Sequence, residues 1–186
     1  MSLLACTVFY QGGVAVAITL AAIYAEQVIG FVPSETMVLI FVLNIAAALG
    51  AFGFGYLQDR IGHRRSLAGT LVAWIAVCLI AASASTKGGF WWAATIAGLA
   101  MGSSQSAGRA MTGILAPPRQ LAEFFGLWTF ATRLASIVGP LSYGAITWAT
   151  GGNQRIAILS TTVLFVGGLL LLLPIDMRRG RDAALK

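Results

Sequence analysis

Six apolar segments, each long enough to cross a bilayer and separated by short links, confine this chain to a membrane. They run over about 4–27, 36–57, 66–84, 90–115, 122–148 and 155–175. A helix rising 1.5 Å per residue covers a hydrocarbon core of about 30 Å in roughly 20 residues. The expected fold is an all-α integral membrane protein, a single six-helix transmembrane domain over residues 1–186. Charged residues make up 10% of the chain, against about a quarter of a soluble domain. Almost nothing is left for a soluble domain. The 22 glycines suit helices that approach closely in lipid, where packing rather than expulsion of water drives association. The first segment is not a cleavable signal peptide, because no basic residue precedes it and Gln11, Thr19 and Glu26 punctuate it.

The basic residues set an orientation. With six spans both termini share a face, which holds Arg60, Arg64, Arg65, Arg119, Arg178, Arg179, Arg181 and Lys186. The opposite links hold Lys87 and Arg155. Eight against two is a positive-inside bias and predicts cytoplasmic termini in a plasma membrane, the inner membrane of a bacterium. The pI near 10.0 then reflects topology and contact with anionic membrane lipids, and no nucleic-acid partner is expected. Cys6 and Cys78 fall in different helices, toward the inner face and the outer half, so neither a disulfide nor a metal site is expected.

Polar residues recur at helical spacing on four of the six segments. Gln11, Ala15, Thr19, Ala22 and Glu26 share a face of the first. On the second, Asn44 precedes a small-residue seam of Ala47, Ala51 and Gly55. Gly98, Gly102, Gln105, Arg109 and Thr112 align on the fourth, and Gly126, Thr129, Arg133, Ser136, Pro140, Tyr143 and Thr147 on the fifth. The third and sixth carry almost no strongly polar group and read as lipid-facing or supportive.

Between the second and third segments lies Gly55-Tyr-Leu-Gln-Asp59-Arg60-Ile-Gly62-His-Arg64-Arg65, a short charged hairpin. It resembles the loop between the second and third helices of major facilitator superfamily transporters, Gly-x-Leu-Ala-Asp-Arg-x-Gly-Arg-Lys. Gly55, Leu57, Asp59, Arg60, Gly62 and Arg64 fall in register, while Gln58 and His63 depart from the pattern. The resemblance implies a gating role for Gly55, Asp59, Arg60, Gly62 and Arg64, locking two halves together on the cytoplasmic side. Asp59 is expected to meet the positive N-terminus of a helix, or to pair with Arg60 or Arg64.

The resemblance extends along nearly the whole chain. Met101-Gly-Ser-Ser-Gln105-Ser106-Ala-Gly-Arg109, Ala116-Pro117-Pro118-Arg119 and Ala122-Glu123-Phe124-Phe125-Gly126-Leu127 are similar to the fourth-to-fifth helix region of the Unknown Major Facilitator branch. The eukaryotic relatives of that branch are vacuole-effluxer-like proteins. Phe9-Tyr10-Gln11-Gly12 resembles the opening of its seventh helix, with Gln11 where Asp is usual, and Ser136-Ile-Val-Gly139-Pro140 completes the match. The similarity is to the C-terminal six helices. In the superfamily, the first and fourth helices of each half line a cavity and the second and fifth meet the other half.

The resulting expectation is a half-size secondary transporter that moves a small solute by alternating access between two six-helix lobes, in the direction of efflux. Gln11, Thr19, Gln105, Arg109 and Arg133 are the candidate solute-binding residues. Their positive character favours an anionic or zwitterionic solute, and the branch resemblance implies an amino-acid-like one. Glu26 is the candidate coupling acid, weighed against a solvated helix end. Arg109 is weighed against snorkelling to the headgroups, and Arg133 against a bond to a neighbouring carbonyl. Asn44, Arg133, Gly139, Pro140 and Tyr143 are the candidate interface. The second lobe is expected to be a second copy, giving a two-fold homodimer; a separate six-helix half, or further spans in a longer chain, satisfy the same arithmetic. The rival expectation is a membrane assembly or scaffold protein that keeps the fold without transporting. No Ser/His/Asp set or Cys/His cluster is present, so neither enzymatic activity nor a cofactor is expected.

Overall fold

Punctuation residues mark where each helix begins and ends. A computed structural model describes residues 2–184; Lys186 lies outside them, as do the side chains of Ser2, Arg178, Arg179 and Ala183. Helix α1 (Ser2–Tyr24) runs into a π-helical turn (Ala25–Ile29) closed by Gly30 at φ 80°. Helix α2 (Pro33–Ile61) opens on a proline, whose missing N–H is no loss in a first turn. Glu35 accepts the Val32 N–H there at 3.0 Å. Helix α3 (His63–Ser83) follows after Gly62 alone, whose φ of 90° strains any side chain. Thr86 caps α4 (Lys87–Leu115), Pro117 and a 3-10 turn (Pro118–Gln120) end it, and α5 (Leu121–Ala149) follows. Asn153 caps α6 (Gln154–Leu172) by accepting the Ile156 N–H at 3.2 Å. A short basic helix, α7 (Met177–Ala184), was not expected from the sequence.

Among the described residues five helices are long and apolar enough to cross a membrane on their own. The exception is α4, interrupted by Ser103, Ser104, Gln105, Ser106 and Arg109. Its length equals that of α2, 29 residues each, and its neighbours bury much of it. A helix wrapped by protein can be polar where a lipid-facing one cannot.

The helices alternate in direction. One end of the bundle brings together the Gly62 joint, Ile114 of α4, Leu173 and Met177. The other end pairs Lys87 with Glu35 at 2.5 Å and Gln154 with Gln27. Helix α2 packs on α4, α1 on α5 and α6, and α3 on α4 and α6. The α2–α4 and α1–α5 seams are backbone against backbone. A Cβ on Gly102 would stand 1.9 Å from the Ala47 carbonyl oxygen, and one on Gly139 would stand 2.1 Å from that of Gly12. Only glycine permits either contact. Behind them Trp74 of α3 stacks on Phe165 of α6, with centroids 5.2 Å apart and planes 6° apart. Both are 1% exposed or less and sit in a core with Cys6, Tyr10, Val14, Leu67 and Leu71.

Two arginines tie α3 to α6 at both ends. Arg64, second residue of α3, donates to the Leu173 carbonyl at the end of α6, at 2.5 Å. Arg155, second residue of α6, donates to the Ala82 and Ala84 carbonyls at the end of α3, at 3.2 and 2.9 Å. Each guanidinium satisfies carbonyls that have no partner in their own helix and faces the negative end of its dipole.

Candidate functional site

Helices α1, α4 and α5 converge around Gly108. A Cβ there would lie 2.2 Å from Tyr10 Oη of α1, so the bare glycine lets that ring approach α4, while Trp128 Nε1 of α5 lies at ordinary contact distance, 3.8 Å. Tyr10 is fully buried and Trp128 is 8% exposed. The next residue, Arg109, is exposed, and its guanidinium carbon sits 5.6 Å from the Trp128 ring centroid. Such a cation–π contact is worth about 0.5–1 kcal/mol when exposed. One turn earlier on α4, Gln105 is half-buried and shares the Arg109 face by its i, i+4 spacing. Gln11 adjoins Tyr10 and is 7% exposed. The constellation is one cation resting on an indole, with two carboxamides nearby.

The other candidates for solute binding lie elsewhere. Thr19 is exposed on α1 eight residues beyond Gln11, about 12 Å along the axis. Arg133 is exposed, and its five-residue separation from Trp128 turns it about 140° around α5. It stands beside Phe130 and Ile137 on the outer face, not with Arg109. Gly98 and Gly102, expected to line a cavity with Gln105, are buried against α2 instead. Their small size serves helix packing. Glu26 is exposed in the π-helical turn.

Among the interface candidates, Asn44 is exposed and donates to the Ile40 carbonyl of its own helix at 2.8 Å. Gly139 and Tyr143 do not lie on that exposed face: Gly139 is pressed on Gly12, and Tyr143 donates to Gln154 Oε1 at 3.3 Å. Pro140 is half-buried. In the hairpin, Asp59 and Arg60 are exposed and Gly55 is half-buried. Asp59 forms no ion pair with Arg60 or Arg64 among the described residues, which leaves a helix N-terminus as the other expected partner; Arg64 is turned toward Leu173. Gln58, which departs from the superfamily pattern, is buried and donates to Ser106 Oγ of α4 at 3.4 Å.

The sequence reading missed Tyr10, Gly108 and Trp128. A glycine immediately before an intramembrane arginine was the available signal, because it leaves space for a large ring beside the charge. A separate apolar cavity lined by Gly13, Tyr24, Leu43, Met101 and Phe165 holds no charged group and offers a solute no ionic handle.

The family model described as "Vacuole effluxer Atg22 like" matches residues 1–185. An uncharacterised MFS-type transporter, YxiO of Bacillus subtilis, is 31% identical over 164 residues, 88% of this chain and 38% of its own length. Autophagy-related protein 22-1 of Penicillium rubens is 28% identical over 197 residues, 97% of this chain and 33% of its own. The chain therefore spans little more than a third of these relatives. Among solved structures, a bacterial homologue of the human lysosomal transporter Spinster, inward-facing and unoccupied, superimposes with a TM-score of 0.72 at 17% identity. That match covers 100% of this chain and 48% of the transporter, so the shared fold is about half of it. With the family model matched over nearly its full length, the chain belongs to the Atg22-like vacuole effluxer family, of the major facilitator type.

Proposed function

We propose that this chain forms one six-helix lobe of a secondary carrier that moves a small anionic or zwitterionic solute by alternating access. The observation that carries this reading is Arg109, a cation exposed inside a span and steadied on Trp128. An intramembrane charge is costly against hydrocarbon, so its exposed side belongs to a water-filled cavity or a partner. In this reading Arg109 attracts the solute's carboxylate, Trp128 fixes the guanidinium plane, and Gln11 and Gln105 supply amide donors and acceptors. The lobe pairs through the outer faces of α2 and α5, with substrate between lobes near the midplane. A second copy is the partner we favour, because two equivalent faces meet across a two-fold axis. The excess of basic residues puts the Gly62 joint, and both termini, on the cytoplasmic side of a plasma membrane. Export is the direction the family description supports.

Uptake or release of labelled amino acids by proteoliposomes tests it. Arg109→Ala is expected to abolish most transport while the protein stays folded, because the side chain is exposed. Arg109→Lys keeps charge but loses the planar fork and recovers only part. A folded Arg109→Ala protein with unchanged transport overturns the site. Absence of transport by the parent chain across the solute panel, with stable capture of another membrane protein, supports the assembly reading instead.

A further inference from the structure

At the basic end of the bundle a cleft opens between the Gly62 joint and α7. Its apolar lining includes Leu173 and Met177, and its polar lining His63, Arg64, Arg65, Arg181 and Asp176. We propose that this cleft binds the phosphate of an anionic phospholipid headgroup from the leaflet it faces. The site goes beyond the transport reading and does not depend on it.

Three observations carry the assignment. The first is charge: three guanidinia and one carboxylate line the cleft, so its lining is cationic on balance. Guanidinium matches phosphate oxygens in a bidentate fork better than an ammonium does. The second is construction. Arg64 is fixed at the wall by its bond to the Leu173 carbonyl, and a guanidinium with five N–H donors keeps others for a ligand. Helix α7 is also seated: Ile175 just before it is 6% exposed, and a Cβ on Gly180 would lie 2.3 Å from Leu115 Cδ2. The third is depth. Helix α2 ends at Ile61 and α6 at Leu172, so the cleft lies where the spans stop and headgroups begin. A free anion would use the arginines and leave the apolar lining wet. A lipid places its phosphate on the arginines and the start of its acyl chains on Leu173 and Met177. Basic pockets between helices at this level suit such headgroups.

The test uses the whole chain in a neutral detergent, titrated with phosphatidylglycerol, phosphatidylcholine or inorganic phosphate. Native mass spectrometry counts retained lipid, and thermal unfolding reads stabilisation. Phosphatidylglycerol is expected to be retained and to raise the midpoint, while phosphatidylcholine and phosphate do neither at the same concentration. The double substitution Arg65→Gln with Arg181→Gln is expected to weaken phosphatidylglycerol binding roughly 30-fold, the product of two surface charge contacts. Both residues are exposed, so its midpoint without lipid should match the parent. If it does not, the single substitutions Arg65→Gln and Arg181→Gln replace it, and each is expected to weaken phosphatidylglycerol binding roughly 5-fold. Equal retention of phosphatidylcholine overturns the headgroup site in favour of an unselective annulus. Equal stabilisation by phosphate makes it a free-anion site, and unchanged binding by the glutamine pair places the lipid elsewhere.

Discussion

The wall made by α3 and α6 and the second wall, the separate outer faces of α2 and α5, are built from similarly apolar helices but end in opposite ways. On the first, Trp74 and Phe165 are sealed in the core, and Arg64 and Arg155 bind the last carbonyls of the opposing helix. Its outward residues, such as Val72 and Val163, are aliphatic. On the second, Phe52 and Trp148 are each 86% exposed, and Asn44 and Arg133 are exposed among large apolar side chains. Lipid solvates Val72 or Phe52 equally well, so apolar exposure does not distinguish the walls. Polar exposure does. Charges at helix ends reach water or carbonyls, whereas a guanidinium twelve residues into α5 has neither nearby along its own helix. The first wall is finished, and the second is where the proposed partner lobe would sit.

The largest test of this contrast is truncation of one aromatic on each wall. Phe165→Ala removes a fully buried ring and should lower stability by about 3–5 kcal/mol, read as unfolding in detergent. Phe130→Ala, on a side chain 67% exposed, should stay within about 0.5 kcal/mol. Comparable losses at both would end the distinction. A second test separates the two sides of α5 itself. Gly139→Val drives a side chain into the Gly12 backbone and should cost about 1–3 kcal/mol or more, since backbone yields less than a side chain. Gly144→Val, with nothing within 4 Å, should be close to neutral.

Smaller effects are expected from the arginine caps. Arg64→Gln and Arg155→Gln should each destabilise by about 1 kcal/mol, the value of a charge at a helix C-terminus. They sit at opposite ends of the α3–α6 pair, so the two losses should add. A marked departure from additivity would mean that α3 and α6 respond as one body.

Much of the fold could be read from the sequence because bilayer thickness fixes helix length and Gly62, Pro33, Thr86 and Asn153 mark ends. Helix α7 escaped because its eight residues, three of them arginine, carry no apolar period long enough to be noticed. The site was half legible. Arg109 announces itself as a charge within a span, but Trp128 is ordinary in an apolar run until the fold brings it beneath that charge. The glycines misled more. Gly98 and Gly102 share the Arg109 stripe by helical angle, yet a glycine face equally suits a cavity or a close helix, and α2 occupies it. Periodicity gives direction and not the neighbour found there. Gly139 and Tyr143, expected at the interface, likewise have neighbours within the lobe.

The last test moves no stability and asks only what covers the second wall. Ile137 of α5 and Val163 of α6 are 57% and 67% exposed, so a cysteine at either position disturbs no core. The native Cys6 and Cys78 are buried and free, and oxidation should leave the parent chain monomeric on a denaturing gel. If two copies meet through α2 and α5, a two-fold axis brings position 137 of one near the same region of the other. Ile137→Cys should then form a disulfide dimer in native membranes, while Val163→Cys, facing lipid, should not. Because Arg133 is one turn away on the same face, Arg133→Glu added to Ile137→Cys should change dimer yield without changing monomer unfolding. Crosslinking at 163 with none at 137 would assign the contact to the α3–α6 wall. Crosslinking at neither, in a protein retained by another membrane chain, would replace the second copy with a separate lobe and leave the contrast between walls intact.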